Sequence, residues 1–223
     1  MNEKPKSRVW MWILGGCLVL VVVVAGVLVG VFFWGRQTLT TMVEEQTKPE
    51  VRETRAKETL GATALPPGYR AGINLSMGIV RSLRLGDSAD GTSVEKRGFV
   101  YHEFLRASES EMDDFLAGKS NILDEMGTRV RADERLRDAI IEVNGKQIHY
   151  YVQRGEITDS DAAMPALITV MTFQCAGEDR ERWGIWFQKE AAATPTAQVD
   201  VDGSVGDEKA IRAFVGHFNV CRK

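Results

Sequence analysis

LRDAIIEVNGKQIHYYVQ, residues 136–153, places Asn144-Gly145 between two runs of alternating polar and apolar residues. Both central positions of a two-residue hairpin turn need positive φ, which Asn and Gly tolerate best. On the second run, Ile148, Tyr150 and Val152 take one face, and His149, Tyr151 and Gln153 the other. That alternation is the period of a strand, not of a helix. The spacing predicts strands over 136–143 and 146–153, joined antiparallel. A sheet begun in this way needs no crossover helix between its strands.

Working outward, the same signals recur. Residues 166–175 and 182–189 flank the polar loop 176–181 and predict a second hairpin. Upstream, 80–85 alternates, with Val80, Ser82 and Arg84 opposite Leu83 and Leu85. Residues 98–105 (GFVYHEFL) form an aromatic, alternating run. Two helices complete the set. Ser108 with Glu111 forms a capping box, ahead of the apolar stripe Met112, Phe115, Leu116, Ile122, Leu123 and Met126, which Gly118 interrupts. Near the end, Asp207 can cap a helix whose Ile211, Phe214, Val215 and Phe218 fall at i, i+3, i+4 and i+7. The expected architecture is α+β: a mostly antiparallel sheet with two packed helices over 66–223, opening at Pro66-Pro67-Gly68.

The residues upstream have a different character. From 9 to 34 the chain reads VWMWILGGCLVLVVVVAGVLVGVFFW, without a charge. This exceeds the roughly 20 apolar residues that span a bilayer, and Trp10, Trp12 and Trp34 stand at its ends, where aromatic rings favour the headgroup zone. Lys4, Lys6 and Arg8 precede it and only Arg36 follows closely. Positive residues stay inside, so the expectation is a cytoplasmic tail (1–8), a transmembrane signal anchor (9–34) in contact with membrane lipid, and an extracytoplasmic C-terminal domain in a single-pass membrane protein. The run is too long for a cleaved signal peptide, and too few apolar residues precede Cys17 for a lipoprotein site. Gly26 and Gly30 form a GxxxG that can bring two helices together as a homodimer; incidental spacing is the competing explanation. Residues 35–65 are polar with mixed charge, and Pro49 breaks any helix continuing from the membrane. They read as a charged juxtamembrane linker, a solvated stalk or partly frayed helix, since Glu50 to Leu60 has good helix formers but only Val51, Ala56 and Leu60 to bury.

Outside the anchor only Cys175 and Cys221 remain. Cys175 shares its strand face with Leu167, Met171 and Phe173, and Cys221 continues the stripe beyond Phe218. A disulfide is expected, with two buried thiols as the alternative. Of the three histidines, His102 reads as a core or edge residue, His149 as exposed, and His217 as lying off the apolar stripe. None has a zinc-motif spacing. Asp200-Val201-Asp202-Gly203-Ser204 lacks the ligands and the Gly position of an EF-hand. The adjacent pairs Asp113-Asp114 and Asp124-Glu125 read as solvent-facing charge. Asn74-Leu75-Ser76 fits a glycosylation acceptor. Trp186, opposite Trp183, Ile185 and Phe187, is a candidate partner contact if uncovered; a second helix layer over it is the alternative.

Residues 61–223 hold 20 Lys and Arg against 25 Asp and Glu. A domain of that sign is not a nucleic-acid binder, since phosphate binding needs a basic face. No GxSxG, P-loop or GxGxxG is present. The sequence therefore implies neither cofactor nor metal, nor any named catalytic residue. The expectation is an envelope protein whose outer domain is a binding or assembly module for an envelope protein or small ligand. A tethered enzyme with an unrecognised polar site is the alternative.

Overall fold

The computed structural model describes Gly26 and residues 48–223, except 77–79, 105–110, 126, 160–161, 179, 191–202 and 222–223. The apolar run 9–34 and the capping Ser108 lie outside the described residues, as do Asp200 and Asp202 of the acidic loop. Gly26 alone of the run is described, as helical and exposed. Among the described residues, no helix is long and apolar enough to cross a membrane.

Residues from Lys48 onward form one compact unit. Its elements are α1 (Pro49–Leu60), β1 (Arg70–Ser76), β2 (Val80–Gly86), β3 (Arg97–Phe104), α2 (Glu111–Leu116), β4 (Ile122–Glu125), β5 (Thr128–Val143), β6 (Lys146–Asp159), β7 (Ala162–Gln174), β8 (Glu181–Lys189) and α3 (Glu208–Gly216). The strands make one eight-stranded sheet in the order β1-β2-β3-β8-β7-β6-β5-β4, antiparallel throughout. This is the expected α+β arrangement with a mostly antiparallel sheet. Asn144 and Gly145 do turn the central hairpin, at φ 54° and 70°.

Both faces of the sheet are covered. On the first, Leu83, Leu85, Phe99, Tyr101, Tyr150, Met171 and Trp186 meet Ile211, Phe214, Val215 and Phe218 of the α3 segment and Ala56 and Leu60 of α1. Asp207 caps α3 as its sequence implies, accepting from Lys209 N at 3.1 Å. The far end of α3 is satisfied by the central hairpin: Asn144 Nδ2 donates to Gly216 O at 3.0 Å, and Lys146 Nζ to Phe218 O at 2.6 Å. The turn that fixes the β5–β6 register therefore also closes helix carbonyls that would otherwise lack donors.

On the second face, Val100, Ile168, Val170, Trp183, Ile185 and Phe187 pack with Met112 and Phe115 of α2 and with Leu123, Val130 and Ile157. Ile157 lies on this face by alternation along β6, and Val130 and Leu123 follow as successive register partners. The β5 register shifts between Ala132 and Glu134 and again between Arg135 and Arg137, and bulges of this kind bend a strand and increase its twist. Gly155 permits the close approach: a Cβ there would lie 1.7 Å from Arg131 O.

Three expectations are corrected. The helix expected over 108–126 is only the six residues of α2; Gly118, at φ 71°, ends the turn, and Ile122–Glu125 pairs with Thr128–Arg131 as β4. The segment over 50–60, read as a stalk or partly frayed helix, is the packed helix α1, with Ala56 and Leu60 fully buried in the first core. Finally, β1 and β4 extend the sheet beyond the six strands expected.

Candidate functional site

One rung of the β2–β3–β8 ladder gives the site its charge. Arg81 pairs in register with Glu103, and Glu103 with Arg182, so all three point to the same face, next to the rung of Leu83, Tyr101 and Gly184. Cross-strand neighbours of this kind lie close enough to interact. The side chains of Arg182 and Glu103 are only 3% and 6% exposed. Glu103 Oε1 receives Arg180 Nη1 and lies 3.7 Å from Arg182 Nη2. The same Arg182 nitrogen also pairs with Glu178. Arg180 and Arg182 thus share two carboxylates. Arg81 is exposed and has no ion-pair or hydrogen-bond partner among the described residues.

A buried arginine is costly to leave incompletely bonded. Arg182 Nε and Nη1 and the Tyr101 hydroxyl are nonetheless buried without hydrogen-bond partners. Burial pushes the Tyr101 hydroxyl pKa well above its usual value, the Glu103 charge adds to this, and Arg182 and Arg81 oppose it.

These residues line two cavities. One, of about 330 Å³, is walled by Arg81, Glu103, Glu178, Arg180 and Arg182, with Thr59 and Val220. The other, of about 350 Å³, is walled by Arg55, Glu58, Asn74 and Ser76, again with Thr59 and Arg81. Both fall within the size range of small-molecule sites. Their walls are tied down. Asn219 N donates to Leu60 O at 2.7 Å, which joins the end of α1 to the C-terminal segment. Cys175 and Cys221 form the expected disulfide, with Cα atoms 5.3 Å apart, next to Val220. Asn74 Nδ2 is buried without a partner, so the nitrogen that a glycan would occupy is covered.

The remaining sequence candidates are placed differently. Trp186, a candidate partner contact, is 3% exposed. It stacks on Phe214 of α3 at 4.2 Å and donates to the Tyr69 hydroxyl at 2.6 Å, so the covering helix layer displaces the contact role. Burial pushes that Tyr69 hydroxyl up to about 12, against the Trp186 hydrogen bond. His102 is buried beside Ser82, 2.7 Å away, and against Trp183; His217, Asp113, Asp114 and Asp124 are exposed. His149 is brought between Asp138, at 2.7 Å, and the Tyr151 hydroxyl, at 3.2 Å, and Arg135 lies over the Tyr151 ring at 4.3 Å. This chain resembles a nucleophile relay, yet burial and the Asp138 charge push the Tyr151 hydroxyl pKa up, which holds the phenol protonated. With Asp138 half-exposed as well, the group suits a surface hydrogen-bond network better than a reaction centre. Among the described residues no group of three or more His, Cys, Asp and Glu side chains could hold a metal ion.

The arginine cluster carries no motif, and a scan for His, Cys and paired acids passes over it. Its signal is parity: Glu103 shares a strand face with Phe99 and Tyr101, and Arg182 with Trp186, so both charges occupy core-facing positions. Charges so placed are buried only when paired. The chain matches no protein-family model and no curated protein sequence.

Proposed function

We propose that this chain is a single-pass, membrane-anchored binding module whose extracytoplasmic domain holds a small polar ligand in the twin cavity beside α1. One observation carries the ligand reading: Arg182, almost fully buried, and Arg81, which has no ion-pair partner among the described residues, line one cavity of about 330 Å³. Polar atoms left unbonded in a roomy polar cavity call for a partner. The anchored topology rests on the uncharged run 9–34 with its basic N-terminal flank. The Cys175–Cys221 disulfide supports an oxidising compartment.

The ligand reading is tested on full-length protein in nanodiscs, by saturation-transfer NMR against a panel of small charged and neutral compounds. Wild type is expected to give hits that Arg81→Gln removes; a panel without one such hit overturns the reading. Topology is checked by a reporter fused after Lys223, which is expected to be active only outside the cytoplasm. Dimerisation through Gly26 and Gly30 predicts a crosslinked dimer that Gly26→Leu abolishes, and an unchanged dimer yield refutes it.

A further inference from the structure

We infer that the open edge of β5 takes up an extended polypeptide segment as an added strand, one that carries basic side chains on either side of a β-branched residue. The inference is independent of the ligand cavities, since β5 stands at the other end of the strand order from β2 and β3. β4 pairs only with Thr128–Arg131, so from Asp133 to Val143 the strand has β6 on one side and no strand on the other. Antiparallel strands alternate residues that bond across the pair with residues whose amides point away. The positive φ of Asn144 and Gly145 marks a two-residue hairpin, whose flanking pair is Val143 and Lys146. Ile141, Ala139 and Arg137 then bond to β6, while Glu142, Ile140 and Asp138 turn their N–H and C=O groups outward. That direction is visible at Glu142, whose carbonyl accepts from Arg212 Nη1 at 3.0 Å. The outward groups of Asp138 and Ile140 have no partner among the described residues. They repeat about 7 Å apart by strand rise, the spacing that another extended chain matches. The open stretch is short, from Arg137 to Ile141, because the register shift at Arg135/Arg137 ends it on one side and Arg212 ends it on the other.

Side chains set the chemistry of the partner. Asp138, Ile140 and Glu142 lie on one face, opposite Tyr151, His149 and Gln147 of β6. Ile140 is 60% exposed, more than any other large apolar side chain described. Glu142 is exposed and forms no ion pair among the described residues; His149 holds Asp138 by one oxygen, Oδ1, at 2.7 Å. An added strand thus meets acid, aliphatic, acid, and its complement is base, β-branched, base. A second copy of β5 supplies no such complement. A two-fold pairing centred on Ala139 sets Asp138 against Ile140, and one centred on Ile140 sets Asp138 against Glu142, a like-charge pair that destabilises.

The test is fluorescence anisotropy of three dye-labelled pentapeptides, titrated with the full chain in zwitterionic nanodiscs and with empty discs as the blank. The peptides are Lys-Thr-Val-Thr-Lys, Glu-Thr-Val-Thr-Glu, and the first one N-methylated at its valine. The lysine peptide is expected to bind about tenfold more tightly than the other two, and to weaken as salt is raised. Ile140→Pro removes an N–H that bonds nothing within the domain, at an edge position where proline is tolerated; it is expected to weaken the lysine peptide about tenfold with the far-UV spectrum unchanged. Asp138→Lys combined with Glu142→Lys is expected to reverse the preference toward the glutamate peptide, a gain that an unfolded variant would not show. Equal binding of the lysine and glutamate peptides, full binding of the N-methylated one, no binding of the lysine peptide, or failure of the reversal overturns the inference. A dimer in sedimentation velocity that Ile140→Pro dissociates assigns the edge to a second copy and overturns it equally.

Discussion

His102 lies 2% exposed in the second core, its ring 4.2 Å from that of Trp183, and burial lowers its pKa from 6.5 to about 4. In the unfolded chain the imidazole binds a proton as pH falls through 6.5, whereas in the folded chain it does so only near 4. Its contribution is therefore complete above pH 6.5 and is lost as pH falls toward 4. Urea unfolding at pH 7.5 and 4.5 should show wild type losing about 2–3 kcal/mol more than His102→Phe over that interval, at 1.36 kcal/mol per pKa unit. Equal losses would refute the assignment. Gly155 makes a second prediction at this scale. Because a Cβ there meets the Arg131 carbonyl at 1.7 Å and backbone cannot yield as a flexible side chain does, Gly155→Ala should cost at least about 2 kcal/mol. A variant with an unchanged urea midpoint would show that the β5–β6 approach is looser than the geometry requires.

Among the elements, the hairpins were legible because their signals are local: Asn144-Gly145 sets its turn by backbone preference, and alternation sets the flanking strands. The Asp207 cap and the stripe of α3 were legible for the same reason. β1 was not, because Ile73 and Leu75, its apolar alternates, remain over a third exposed, and its buried positions include Gly72, where a Cβ would meet Gly91 O at 2.4 Å. β4 was read as helix because Ile122 and Leu123 continue the spacing of α2, and only pairing to β5 decides otherwise. The arginine cavity was hidden for a third reason: its members come from β2, β3, β8 and α1, and only the β3–β8 pairing unites them. The helix α1 offers a test at this scale. If it were a solvated stalk, Leu60→Ala would be silent. Packed as it is, with Leu60 fully buried, the substitution should cost about 2–5 kcal/mol, measured by chemical unfolding of the full chain.

At the scale of the whole molecule, the first core is closed by the segment that follows α3. Phe218 packs between Phe99 and Phe214, Asn219 bonds to Leu60, and Cys221 bridges to Cys175. The bridge spans 46 residues, for which a simple chain-entropy estimate gives about 4 kcal/mol. A Cys175→Ser, Cys221→Ser double variant should keep its far-UV spectrum and lose stability of that order in urea. A midpoint equal to that of wild type would show that the tail is held by packing alone.

The β3–β8 seam joins residues 97–104 to residues 181–189, so the two ends of the sheet cannot lock until nearly the whole polypeptide has been made. Contacts so distant in sequence form slowly, because a long loop must close before any pairing compensates for it. A nascent chain would therefore carry β3 as a bare edge throughout synthesis of the intervening strands. In that interval the bare edge would be open to pairing with a neighbouring chain.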